Sequence, residues 1–282
     1  MLFRSHAQAI PCPEDLDGSG EVDSGDLALM LLSFGGCPDV NCPEDLDGSG
    51  EVDSGDIALA LLSFGACPGL AWATTLEWSP NPSIVTDATL REAIVATHLP
   101  WRVRDNGTGI ELLLVPPGSF QMGSSDADDL FRAYININEQ PVHSVTLTNA
   151  FYLGRFEVTQ EQWEAKTGFN PSYNNSSPGH SPSCSFACEN LPVEWVSWEQ
   201  ANLFANSNGM RLPSEAEWEY ACRAGTSTSF HAGPASYQSP EEASAVLTMI
   251  AWWVGNPDRC LGDPISCFNR TWPVGTRAPN QL

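Results

Sequence analysis

A fifteen-residue segment occurs twice in this chain without a single change. Cys-Pro-Glu-Asp-Leu-Asp-Gly-Ser-Gly-Glu-Val-Asp-Ser-Gly-Asp runs from Cys12 to Asp26 and returns thirty residues later, from Cys42 to Asp56. The apolar stretches that follow, 27–35 and 57–65, are near copies. Oxygen-bearing side chains recur at alternating positions: Asp15, Asp17, Ser19, Glu21, Asp23 and a closing Asp26 in the first copy, and Asp45, Asp47, Ser49, Glu51, Asp53 and Asp56 in the second. That is the spacing of a twelve-residue calcium loop, in which Glu21 and Glu51 offer their backbone carbonyls and Gly20 and Gly50 take the sharp turn. A hard cation collects about six to eight oxygens, and aspartates packed this closely repel one another without one. These twelve residues are the expected metal ligands.

Two features depart from a helix-loop-helix hand. The closing residue is Asp where Glu is usual, and Pro11 and Pro13 leave no room for a helix entering the first loop. A loop followed by one apolar helix, present twice, resembles the dockerin repeat. The resemblance implies a small all-α module of paired calcium loops at 12–67 that docks on a cohesin-like partner. In dockerins the positions held here by Ser24-Gly25 and Ser54-Gly55 help choose the partner, and their identity implies docking in either orientation. Val22 and Val52 are expected to pair across the loops. Cys12, Cys37, Cys42 and Cys67 are regularly spaced, so one disulfide per repeat is the simplest of three connectivities. Zinc is disfavoured, with no histidine nearby and no C-x-x-C. The exit helices, with Leu27, Leu29, Met30, Leu31, Leu32 and Phe34 in the first, are apolar nearly all round. They either cover each other or leave a partner surface.

Disulfides imply an oxidising compartment. Ala7-Gln8-Ala9 has the form of a leader-peptidase site, so residues 1–11 are expected to be the remnant of a signal peptide and the protein to be secreted, at the cell surface or periplasmic. The formal net charge is −23, from 35 acidic and 12 basic residues, and Lys166 is the lone lysine. Such a chain repels nucleic acid and anionic membranes, so neither is an expected partner. No apolar run is long enough to span a bilayer.

Residues 68–106 read as a linker or adapter, with a helix over 86–97 capped by Asp87. From 107 onward come a strand at 110–115, a second at 151–156, a helix behind Thr159, a strand at 192–198 leading into a helix through Phe204, and a helix whose Ser214 and Glu217 form a capping box. Val115-Pro-Pro-Gly-Ser-Phe-Gln-Met-Gly123, Glu157-Val-Thr-Gln160, Pro192-Val-Glu-Trp-Val-Ser-Trp198, Arg211-Leu-Pro-Ser-Glu-Ala-Glu-Trp-Glu-Tyr-Ala-Cys-Arg-Ala-Gly-Thr226 and Pro273-Val-Gly-Thr-Arg-Ala-Pro-Asn280 stand in the order of the formylglycine-generating, sulfatase-modifying family. The resemblance covers 107–282. It implies an α+β, irregular, C-type-lectin-like body. In catalytic members a copper-bound cysteine pair and oxygen convert a sulfatase cysteine to formylglycine.

In the family that active site lies past the segment matching Pro279-Asn280. The resemblance therefore implies an incomplete domain, with no catalytic or organic-cofactor residue carried over and copper, if any, held only beyond Leu282. Two readings follow. A longer chain would oxidise a sulfatase peptide. The alternative is a non-catalytic extracellular binding or scaffold protein, such as a member of a polysaccharide-degrading assembly. His143, His180 and His231 share no ligand spacing and read as structural. Cys184 with Cys188, and Cys260 with Cys267, read as loop staples, and Cys222 as an unpaired thiol. Calcium ligands that the family implies around Asn256, Asp258 and Asp263 cannot be aligned.

Overall fold

The protein is described from a computed structural model, over residues 2–5, 12–37, 42–67, 70–124, 139–174, 190–227, 231, 240–252 and 271–280. The central element is an antiparallel five-stranded sheet in the order β1-β11-β8-β7-β6, made of β1 (Phe3–Ser5), β11 (Phe151–Gly154), β8 (Glu111–Val115), β7 (Arg102–Asp105) and β6 (Ala73–Glu77). Every residue of β11 is buried, as expected of a continuous apolar run with both faces covered. Its alternation divides the core. Tyr152, with Leu112 and Leu114, faces one side, and Phe151 and Leu153, with Val115, face the other. The first side packs on Ile94 of helix α3 (Ala88–Val95), Trp163 of α4 (Gln160–Thr167) and Phe204 of α5 (Trp198–Ser207). The second packs on Ala221 and Tyr220 of α6 (Glu215–Arg223). A separate hairpin pairs β9 (Gly118–Met122) with β10 (His143–Leu147), and α7 spans Pro240–Ile250.

The helix starts follow their capping residues. Asp87 accepts from the N–H groups of Thr89 and Leu90, and Thr159, Ser197 and Ser214 each form a capping box. Three sequence expectations change. The stretch 192–198 forms one isolated bridge, Thr159 to Pro192, in place of a strand, because Trp195 turns the backbone to a positive φ of 61°. Residues of the expected adapter supply β6, α3 and β7, so they belong to the body of the sheet. The first residues, read as a leader remnant, include strand β1, which pairs with β11, and Leu2 is buried in the main core.

Ahead of β6 lies the repeat region, with α1 (Ser24–Leu32) and α2 (Ser54–Leu62) packed side by side. It is not all-α. β2 (Glu21–Val22) pairs with β5 (Gly65–Ala66), and β3 (Gly35–Gly36) pairs with β4 (Glu51–Val52). Each repeat's loop therefore pairs with the segment that follows the other repeat's helix. Val22 lies opposite Gly65 and Val52 opposite Gly35, so the expected Val22–Val52 strand pairing is replaced by this exchange, although both valines remain in one buried cluster. The exchange also sets the cysteines. The N–H of Cys67 donates to Gly20 and that of Cys37 to Gly50. The disulfides are consequently Cys12–Cys67 and Cys37–Cys42, not one within each repeat.

Candidate metal centre

Two clusters of carboxylates form at the two loops. Asp15, Asp17 and Asp26 each bring an oxygen within 4.8 Å of the others, and so do Asp45, Asp47 and Asp56. The backbone builds each cluster. Asp15 accepts from the N–H groups of Ser19 and Gly20, at 2.9 Å each, which folds the turn around its carboxylate. Asp26 is fully buried and accepts from the N–H groups of Leu16, Asp17 and Asp23 at 2.7, 3.2 and 2.8 Å. It thus ties the start of the loop to the first turn of α1, and Asp56 does the same for α2 with Leu46, Asp47 and Asp53. Asp23 and Asp53 cap their helices by accepting from Gly25 and Gly55. Ser19 donates its hydroxyl to the Glu21 carbonyl at 3.0 Å, and Ser49 to Glu51 at 3.1 Å. Of the six residues expected in each loop, three carboxylates converge, and the other three lie along the same turn with their oxygens in local hydrogen bonds.

The identical loops have different surroundings. Burial raises the Asp15 carboxyl above its usual range. The N–H of Gly20 opposes this, and the charges of Asp26 and then Asp17 reinforce it. Asp56, the closing residue of the second loop, is shifted down. Burial pushes it up, but the N–H groups of Asp53, Asp47 and Leu46 outweigh burial and hold it below the usual range. The two loops differ in their packing on the body. Trp78 packs into the small core of the module, Ser79 donates its hydroxyl to the Gly18 carbonyl, and Val95 of α3 faces Gly18. Around Gly48 and Gly50 there is no such neighbour within 4 Å among the described residues. A single sequence carries no signal for this clasp, since Trp78 and Ser79 lie outside the repeat.

The exit helices bury Met30 and Ala60, half-bury Leu27 and Ile57 against the same cluster, and leave most of their other apolar residues exposed. Leu31, Phe34, Leu61 and Phe64 are more than half exposed, and Leu32 and Leu62 are each 84% exposed. Among the described residues no helix is long and apolar enough to cross a membrane.

The body offers other groups. His143 lies on the hairpin with its Nδ1 3.0 Å from the Pro141 carbonyl, and burial lowers the pKa of His231. Cys222 is the free cysteine among the described residues, and burial pushes its thiol up, with Arg223 opposing and Glu219 adding to the shift. A cleft of about 680 Å³ lies on the α6 side of the sheet, lined by Leu113, Leu153, Trp218, Cys222, Trp272 and Arg277 among others. Ala7, Gln8, Ala9, Pro11, His180, Cys184, Cys188, Asn256, Asp258, Cys260, Asp263, Cys267 and Leu282 fall outside the described residues.

The profile of the sulfatase-modifying factor enzyme 1-like domain matches residues 101–282, which takes in β7 and everything after it. The chain belongs to the sulfatase-modifying factor family. It is similar to the chaperone protein LppX of Paenibacillus barcinonensis, 28% identical over 218 residues that cover 61% of this chain and 66% of the relative. It is also similar to the formylglycine-generating enzyme of Thermomonospora curvata, 29% identical over 153 residues, covering 40% of this chain and 49% of that enzyme. The chain thus spans between about half and two thirds of the length of these curated relatives. Among solved structures, PvdO from Pseudomonas aeruginosa aligns with a TM-score of 0.41 and 23% identity, covering 64% of this chain and 67% of PvdO.

Proposed function

We propose that this is an exported calcium-binding docking protein whose second part is a sulfatase-modifying-family body. The observation that carries the reading is the doubled convergence of three carboxylates within 4.8 Å in loops of identical sequence. Carboxylates this close disfavour one another's charge, and a hard cation with oxygen ligands relieves that. The residues fit calcium. Asp15, Asp17, Ser19, Asp23 and Asp26 with the Glu21 carbonyl, and their counterparts in the second loop, supply enough oxygens without any nitrogen or sulfur donor. Calcium would supply charge neutralisation. The chain's own residues close the site, Asp26 and Asp56 by locking loop to helix and the two nested inter-repeat disulfides by holding the repeats together. In the dockerin reading, the exposed leucines and phenylalanines of the exit helices seat a cohesin-like protein. The test is limited proteolysis of the full chain with calcium chloride against a chelator. Protection of 12–67 that calcium confers and magnesium does not supports the reading, and equal cleavage in all three conditions sinks it.

For the body, relatives that are formylglycine-generating enzymes support oxidation of a sulfatase cysteine as the activity of the whole protein. The described residues do not fit a copper-holding cysteine pair, because Cys222 has no second free thiol among them. A second reading, non-catalytic extracellular binding, is favoured by an exposed aromatic pair on the body, Tyr173 and Trp195.

A further inference from the structure

Trp195 is 75% exposed and has a φ of 61°, a region that bulky residues rarely enter. Its indole stacks on Tyr173, with ring centroids 5.7 Å apart and planes 21° from parallel. The surrounding chain holds this arrangement firmly. Gln160, 2% exposed, donates to the carbonyls of Asn174 and Pro192 and accepts from the Asn170 side chain. The N–H of Glu194 donates to Ser172 Oγ, and Glu194 Oε1 accepts from the backbone and side chain of Asn174. Val193 and Val196 pack against the core, which turns Trp195 outward. Bulky residues persist in a strained backbone only where their surroundings over-determine it, and such strain concentrates at ligand sites.

We infer that Trp195 and Tyr173 form a platform for a pyranose ring of a neutral glycan, with Glu194 as the hydroxyl acceptor beside it. The inference deepens the binding reading of the body and does not rest on the calcium loops. A flat, electron-rich ring face attracts the polarised C–H groups that line one face of a sugar. Glu194 Oε2 takes no hydrogen bond among the described residues, so it remains to accept from a sugar hydroxyl. The net charge of −23 opposes polyanionic glycans. A proline-rich peptide fits less well. The two rings already stack on each other and leave no slot between them for a proline, and proline offers no N–H to the carboxylate.

The test is affinity electrophoresis of the full chain in gels containing hydroxyethyl cellulose, xyloglucan or galactomannan, with polygalacturonate as the anionic control. At least one neutral polysaccharide should retard the chain, and polygalacturonate should not. Trp195→Gly removes the ring and suits the positive φ. It should weaken binding by about tenfold or more, the size of one lost ring stack, while the thermal midpoint does not fall. Tyr173→Ala should weaken binding as well, and Trp218→Ala, on the opposite side of the sheet, should not. Absence of retardation by all three neutral polysaccharides, or undiminished binding by Trp195→Gly, would overturn the inference. A fluorescence response to decaproline that Trp195→Gly abolishes, without retardation in the gels, would keep a binding body but reject the glycan.

Discussion

The repeat allows a paired experiment in which local sequence cancels. Gly20 and Gly50 occupy the same loop position with φ of 93° and 90°, inside fifteen identical residues. An alanine at either site meets the same backbone penalty of about 1–2 kcal/mol for a left-handed conformation. Beyond that the two differ. A methyl group on Gly20 would overlap the indole of Trp78, whereas one on Gly50 meets nothing within 4 Å among the described residues. Forcing an aromatic ring aside costs about 1–3 kcal/mol, and the loss of its packing sets a ceiling of about 3–5 kcal/mol. Gly50→Ala is therefore expected to cost about 1–2 kcal/mol and Gly20→Ala about 2–5 kcal/mol. Urea unfolding in saturating calcium, followed by tryptophan fluorescence and far-ultraviolet circular dichroism, measures both. Repeating the pair in a Trp78→Ala background should abolish the difference. Costs equal to within about 0.5 kcal/mol in the wild-type background would refute the packing of the first loop on the body.

The two disulfides should differ in weight. Cys12–Cys67 closes a separation of 55 residues and Cys37–Cys42 one of 5, so replacing both cysteines by serine should cost about 4 kcal/mol for the first pair and about 2 kcal/mol for the second, measured by chemical denaturation. Glu111 should dominate part of the acid response. Burial pushes its carboxyl up, but hydrogen bonds from Arg104 and Arg155, with the charge of Arg102, outweigh burial and hold it below its usual range. A carboxylate depressed in the folded state stabilises above its unfolded pKa, and that stability is lost as pH falls through the folded value. Glu111→Gln should thus lower stability near neutrality by about 1–2 kcal/mol, with the gap to wild type closing below about pH 4 in thermal melts. A gap that stays constant with pH would refute this.

What could be read from the sequence was local. The alternating acids of the repeat foretold where carboxylates would gather, because a tight turn fixes the direction of each side chain. Asp87, Thr159 and Ser214 marked helix starts, because capping is settled within a few residues. The strands ending at Val115 and Gly154 showed as apolar runs. What could not be read depended on contacts distant in sequence. Equal cysteine spacing suggested one bridge per repeat, whereas strand exchange between repeats brings Cys67 to Cys12. The stretch at 73–105 lacked a long apolar run, so β6 and β7 passed for an adapter until their partners in the sheet were known. At Trp195 the side chain type argues against the φ it adopts, and the anchoring comes from Ser172 and Asn174, some twenty residues earlier in the chain.

The bridge between Cys12 and Cys67 has a consequence for how the molecule is assembled. It brings the entry and exit of the repeat region to a Cα–Cα distance of 5.8 Å, a gap one or two residues can span. Yet the strands on either side, β1 and β6, lie at opposite edges of the five-stranded sheet. The repeats therefore hang from the body as a pendant on a closed clasp. Forces applied to the exposed helices pass to the body through that clasp and through Trp78 and Ser79. A pull on this pendant reaches β1 through the chain ahead of Cys12 and β6 through the chain after Cys67, so it bears on both borders of the sheet.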